Sequence, residues 1–261
     1  MPAGHDHGTY EIFYLMSGQR EFFIKDRTMI VEEGDIVIVA PRVLHRTTNA
    51  ETPAHERLIV NIHESEIDAG RHADRDVFRP LLEREYSIVR TTGQHRLSVD
   101  SLARQMIRET RDRSPGFETY VRALTLQLLV RCCRHLSEHR SEPPQSPGPM
   151  HERMSEIVRY INGHYAEELS LQRLAEKFYV SPYYLSRSFK EATGFAFVEY
   201  VNNVRINEAK KWLERSSMKA GLIAKKVGFG SVTHFGRVFK SVTGHTPLHY
   251  RPGRREGRTR G

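Results

Sequence analysis

Residues 9–62 alternate short apolar runs with turn signals. The runs are Tyr10–Met16, Glu21–Ile24, Met29–Val31, Ile36–Val39 and Leu58–Ile62, with Ser17-Gly18 and Glu33-Gly34-Asp35 between them. Short runs punctuated by glycine predict the strands of a sandwich or barrel. Over residues 97–138 the apolar period lengthens to that of a helix. Ser98-Val99-Asp100-Ser101 starts a first helix carrying Leu102, Met106 and Ile107. A second, after Ser114-Pro115-Gly116, sets Phe117, Tyr120, Val121, Leu124, Leu128, Leu129 and Cys132 on one face. Such a stripe serves either a helix pair packed within the chain or a dimer seam.

The helical period returns near residue 169, and there it repeats. Leu169, Leu171, Leu174, Ala175 and Phe178 have helical spacing behind Ser170 as N-cap. Ser181 caps a following helix whose first position is Pro182, where the missing N–H costs little. On that helix Leu185 and Phe189 face inward, Tyr183, Ser186, Arg187 and Lys190 face outward, and Thr193-Gly194 ends it. Some fifty residues on, Ile223-Ala224-Lys225-Lys226-Val227-Gly228-Phe229 and Ser231–Gly244 repeat the scheme. Ser181/Ser231, Arg187/Arg237, Phe189/Phe239, Lys190/Lys240, Thr193/Thr243 and Gly194/Gly244 are identical pairs. In the second copy Phe235 and Phe239 point inward, and Thr233, His234, Arg237 and Lys240 outward. Short helix, turn, second helix is the helix-turn-helix form, whose second helix enters the DNA major groove. Between the copies, Ala196 to Leu213 reads as one helix with Val198, Val201, Val204, Ile206, Ala209 and Leu213 as its stripe. Its length, roughly 28 Å, approaches the ~34 Å between successive major-groove faces.

Charge follows the same division. Of 40 Lys and Arg and 32 Asp and Glu in 261 residues, residues 151–261 hold 20 basic and 10 acidic side chains. That part is net +10, against −2 for residues 1–150. The boundary is Ser141-Glu142-Pro143-Pro144-Gln145-Ser146-Pro147-Gly148-Pro149, a semi-rigid linker. A basic module tethered to a near-neutral one suggests a polyanion reader joined to something else. Apolar residues make up 38% and charged residues 28%, with a mean hydropathy of −0.56. No run approaches the roughly 18 apolar residues of a membrane span, and the N-terminus carries no secretory apolar segment. The two adjacent cysteines, Cys132 and Cys133, can build neither a disulfide framework nor a four-cysteine zinc site. A reduced, cytoplasmic protein is expected.

Leu174-Ala175, Ser181-Pro182-x-x-Leu185-x-Arg187-x-Phe189-Lys190 and Gly228-Phe229…Phe235…Phe239-Lys240…Thr243-Gly244-x-Thr246-Pro247…Tyr250-Arg251 carry a resemblance. Residues 151–252 resemble the DNA-binding domain of the AraC/XylS family of bacterial transcription regulators. The resemblance implies that Tyr183, Ser186 and Arg187 occupy base-reading positions of the first recognition helix. Val232, Thr233, Gly236 and Arg237 hold the matching positions of the second, where Thr233, His234 and Arg237 offer the hydrogen-bonding capacity. Ser181, Lys190, Ser231 and Lys240 are assigned to phosphates. Base readout is expected mainly from the first helix, with the second contributing phosphate contacts. Packing at the helix rim is an alternative role for Tyr183 and Tyr184. The family resemblance also implies activation rather than repression, RNA polymerase as a partner and a homodimer.

The N-terminal part contains His5-x-His7-x3-Glu11-x6-Gly18, then Gly34-x6-Pro41-x3-His45-x3-Asn49. This resembles the two cupin motifs, which map His5, His7, Glu11 and His45 onto that superfamily's metal ligands. The preferred reading is a metal-free pocket of His5, His7, Glu11, Tyr14, His45 and Arg46 that hydrogen-bonds a small polar effector such as a sugar. No cofactor is expected, and metal is the alternative.

The expected fold is α+β in two domains: a cupin-like β-barrel with a helical pair, then an all-α domain of two helix-turn-helix units on a linker helix. The expected layout is a sensing barrel at 1–65, a helical connector at 66–140, the linker at 141–150, the DNA-binding domain at 151–252 and a basic tail at 253–261. The tail is Arg254, Arg255, Arg258 and Arg260 with glycine. The function expected is a sequence-specific, effector-responsive transcription regulator and not an enzyme. One alternative is a cupin-type metalloprotein or enzyme with an appended nucleic-acid-binding domain. Another, a DNA-repair methyltransferase, would want a separated cysteine with an activating partner, which Cys132-Cys133 does not offer.

Overall fold

The structure, a computed structural model, describes residues 9–48, 54–67, 72–139 and 145–251. In chain order these form β1 (Thr9–Ser17), β2 (Gln19–Ile24), β3 (Arg27–Glu32), β4 (Asp35–Val39), β5 (His45–Thr48) and β6 (Glu56–His63). There follow α1 (Glu64–Ile67), α2 (His72–Leu82), β7 (Tyr86–Arg90), α3 (Gly93–Asp112) and α4 (Phe117–Glu138). The remainder is helical: α5 (Pro149–His164), α6 (Leu171–Lys177), α7 (Pro182–Thr193), α8 (Phe197–Arg215), α9 (Ala220–Lys226), α10 (Val232–Thr243) and α11 (Pro247–Tyr250). The chain divides into two compact units, one holding 148–251 with the turn at 25–28, the other holding the strands and α1 to α4. His5, His7, the start of the Pro-rich linker and the arginine tail lie outside the described residues.

The strands make two antiparallel sheets, one in the order β6-β1-β4-β7 and one in the order β3-β2-β5. Alternation along β1 divides its side chains between two cores. Phe13 and Leu15 meet Phe22, Ile24, Met29, Val31, Val37 and Val39 between the sheets. Tyr10, Ile12, Tyr14 and Met16 turn the other way, against α3 and α4. The expected barrel therefore takes the form of a packed sandwich, with no ladder closing it among the described residues. Gly18 makes the tight β1–β2 turn at φ +86°, and a Cβ there would lie 2.7 Å from the Ala54 carbonyl oxygen. Two strands have no counterpart among the apolar runs. β5 is His-Arg-Thr-Thr, with no apolar residue to signal it. β7 pairs with β4, Val89 opposite Ile36, and extends the first sheet from within the stretch read as helical.

α3 starts at Gly93, five residues before the expected Ser98, because the turn after β7 leads directly into it. α4 starts at Phe117 as its Ser-Pro-Gly approach implies. Its buried face is Leu124, Thr125, Leu128, Leu129, Cys132, Cys133 and Leu136, packed on the sheet's second core. Tyr120 stands 47% exposed instead of joining that face.

In the other unit, α5 buries Met154, Ile157, Val158 and Ile161. The two helix-turn-helix copies close alike. Phe178 and Val180 N–H groups donate to Leu174 and Ala175 carbonyls in the first turn, and Val227 and Phe229 to Ile223 and Ala224 in the second. At the apex Tyr179 takes φ 54° where Gly228 takes φ 91°. A Cβ on Gly228 would meet the Tyr165 and Ala166 carbonyl oxygens at 2.8 Å, so only glycine fits there. The linker helix α8 buries Ile206, Ala209 and Leu213 against Ile223, Val227, Phe235 and Phe239. From its midpoint Arg205 donates to the Tyr165 and Glu167 carbonyls, both at 2.8 Å, and its guanidinium lies 5.7 Å from the Phe229 ring centre. Linker helix, the loop before α6 and the second turn are thereby tied at one point.

Candidate nucleic-acid interface and sensor residues

Each recognition helix is built by the same local rules. Ser181 Oγ accepts the Tyr184 N–H at 3.1 Å, and Ser231 Oγ accepts the His234 N–H at 3.3 Å. Gly194 and Gly244, both at φ 75°, end α7 and α10 with their N–H groups on the Lys190 and Lys240 carbonyls. Between these caps Leu185 and Phe189, and Phe235 and Phe239, are buried. The outward faces are open: Tyr183, Ser186, Arg187 and Lys190 on α7, and Thr233, His234, Arg237 and Lys240 on α10, all face solvent. Tyr183 is 77% exposed, so it does not pack between helices, whereas Tyr184 is 40% exposed at the edge. Among the described residues Arg187, Lys190 and Lys240 hold no ion pair. Arg237 donates to His234 Nδ1 at 3.1 Å. The two heads thus differ: α7 presents an uncommitted guanidinium behind two tyrosines, and α10 an arginine already joined to a histidine.

The sensor residues separate. Glu11 and His45 meet at the edge of the sandwich core, His45 Nε2 lying 3.4 Å from Glu11 Oε1. The other ring nitrogen donates to the Val43 carbonyl at 2.8 Å. Burial works against protonation of His45, but the bond to Glu11, its charge and the Val43 carbonyl outweigh it and raise the imidazole's pKa. Tyr14 belongs to the opposite face, where its hydroxyl donates to Asp100 at 2.6 Å. Burial and then Asp100 push that phenol well up. Arg46 pairs with Phe23, one register position from the Ile24–His45 pair, and so falls on the face of its sheet turned away from the sandwich core. The expected six-residue pocket therefore reduces, among the described residues, to Glu11 and His45. These two are bound to each other, and no three His, Cys, Asp or Glu among the described residues converge on a metal position. The described donors do not fit a metal.

Burial pushes both thiols up, Cys133 to about 12 and Cys132 further, which is the reverse of an activated nucleophile. No helix among the described residues is long and apolar enough to cross a membrane. Sequence reasoning missed two positions that shape the helix-turn-helix unit. Arg205 gives no local signal, since it reads as one more surface charge on a helix. Tyr179 could have been found by aligning it with Gly228 in the repeat.

Residues 2–146 match the AraC-like ligand binding domain family and residues 174–253 a helix-turn-helix domain family. The chain is 37% identical over 112 residues to the bifunctional transcriptional activator/DNA repair enzyme AdaA of Bacillus subtilis, covering 43% of this chain and 53% of that one. It is 30% identical over 128 residues to the arabinose operon regulatory protein of Escherichia coli, covering 49% and 42%. The chain thus spans about half the length of these curated relatives. Among solved structures, the C-terminal domain of the response regulator AraT from Geobacillus stearothermophilus is 28% identical with a TM-score of 0.39, over 44% of this chain and 95% of that one.

Proposed function

The chain belongs to the AraC/XylS family of DNA-binding transcription regulators, and on that premise we propose that it activates transcription on binding a small effector. Two matched, exposed Arg/Lys faces within one compact helical unit carry this reading. α7 supplies most base discrimination, through Arg187 on guanine and Tyr183 and Ser186 beside it. α10 contributes chiefly phosphate contacts, in keeping with an Arg237 already engaged by His234. Lys190 and Lys240, with Ser181 and Ser231 at the helix starts, hold the backbone. The basic tail adds non-specific attraction. A homodimer through the outward face of α3 and α4 fits the exposure of Leu97, Ile107 and Tyr120. RNA polymerase is the partner an activator requires. The buried thiols speak against a cysteine-based repair activity. Of the residues expected to bind a sugar, Glu11 and His45 stay together in the sandwich, while Tyr14 and Arg46 lie on other faces.

The test is selection of a binding site from random DNA by the full chain, followed by two variants. Arg187→Ala is expected to cost about 1–3 kcal/mol on the selected site and to relax base choice at one or two positions. Lys190→Ala should weaken selected and random DNA alike and lower the salt slope by about 1. Equal effects of both changes on both DNAs would refute the division, and failure to enrich any sequence would refute the regulator.

A further inference from the structure

We propose that the sensor unit carries a ligand site outside the strand sandwich, in the trough between α1, α2 and α4, and that it takes a small zwitterion with an apolar body, such as an aromatic or branched-chain amino acid. The proposal rests on the effector-responsive reading above and names the site and chemistry of that effector. The trough encloses about 570 Å³, within the usual range for small-molecule sites. The space between the sheets, by contrast, is filled by eight fully buried side chains. The floor is apolar: Ile67 and Phe78 from one side, Leu126, Val130 and Cys133 from α4.

The rim decides the ligand class. Arg122 is held by Glu66 at 2.9 Å, and Asp76 is held by Arg79. Arg134 and Glu138 line the same trough one helical turn apart, about 6 Å along the axis. Neither has an ion-pair partner among the described residues. Ser137 Oγ, between them, donates to the Cys133 carbonyl at 3.0 Å and keeps its lone pairs as acceptors. A cation and an anion side by side above an apolar floor match an α-carboxylate and an α-ammonium on an apolar stem. Arg134 would take the carboxylate bidentately, and Glu138 and Ser137 the ammonium. A lone anion would face Glu138, a lone cation would face Arg134, and a sugar would leave the floor uncovered.

Calorimetric titration of the full chain with phenylalanine and leucine tests this, with phenethylamine and 3-phenylpropionate as analogues lacking one charge each. A zwitterion is expected to bind at least about tenfold tighter than either analogue. Arg134→Gln and Glu138→Gln, both at exposed positions, should each weaken it about tenfold while leaving the melting temperature of the unliganded protein unchanged. No zwitterion binding up to about 10 mM, equal binding of a one-charge analogue, or undiminished binding in both variants would overturn the site. Binding to the selected DNA without ligand is the separate arm. Its loss overturns the regulator reading, whereas intact DNA binding with no zwitterion bound overturns this site alone.

Discussion

Tyr179 and Gly228 occupy the same apex of two matching turns, yet the chain puts a bulky side chain in one and none in the other. The difference lies in what each would meet. Tyr179 is 92% exposed, so its side chain costs only the left-handed backbone, about 1–2 kcal/mol. At Gly228 a methyl group would add a clash with two carbonyl oxygens at 2.8 Å to a φ of +91°. Tyr179→Gly is therefore expected to hold or raise the melting temperature, where glycine substitution elsewhere in a helical unit costs about 1 kcal/mol. Gly228→Ala should lower stability by about 2 kcal/mol or more, roughly 8 °C or more for a unit of this size, read by thermal unfolding. His45 sets a second expectation at this scale. Its folded pKa is raised above the unfolded value of about 6.5, so its contribution is complete below that pH. It is lost as pH rises through the folded value. Thermal stability of the strand-bearing unit should fall on going from about pH 6 to 8, and His45→Gln should flatten that slope. A wild-type profile flat across that window would show that Glu11 does not hold the charged imidazole.

At the scale of elements, legibility tracked the contrast between apolar and polar positions. The five apolar runs became β1 to β4 and β6, and both repeats became helices facing the expected way, because each has one buried side and one wet one. β5 escaped because its four residues are all polar, its place being set by pairing with β2 rather than by its own pattern. The outward faces were legible where periodicity fixes direction, as on α7 and α10. It was not legible in the sandwich, where Glu11 and His45 share one core while Tyr14 and Arg46 fall on other faces by odd-even register. α8 holds a feature hidden in the same way. Lys210 reads as a surface charge but is 4% exposed beneath Tyr250, and burial pushes its pKa down to about 8 against the pull of Glu214. Its folded pKa lies below the unfolded one of about 10.4, so stability should rise with pH between those values. Lys210→Met is expected to stabilise the helical unit by about 1 kcal/mol at pH 7. That advantage should close as pH climbs from about 8 to 10, in calorimetric scans across the range. A constant difference at all pH values would place the ammonium in water.

For the molecule as a whole, α7 and α10 belong to one compact unit, and reading heads that move as one body would be restricted in the DNA they can bind. α7 and α10 sit at either end of a 19-residue α8, and Arg205 fastens α8 to the loop before α6 and to the second turn. Association should be electrostatic first, with affinity falling about a thousandfold between roughly 50 and 200 mM salt if six or more phosphates are engaged. On the proposed function, register would come from the rod. At 1.5 Å per residue α8 spans about 28 Å, which suits heads in successive major grooves about 34 Å apart. Inserting about 5 base pairs between the two half-sites turns one groove to the far side of the duplex, and binding should drop to that of a single head. Inserting about 10 restores the face but adds another 34 Å, which a rigid helix cannot cover, so that spacing should fail too. Proteins whose heads hang on a flexible joint tolerate the longer spacer, since loop closure grows only slowly with length. Competition binding on the three spacings separates the cases: recovery with the 10-base-pair spacer would mean that α8 bends or melts on DNA, and loss with both would establish it as the ruler.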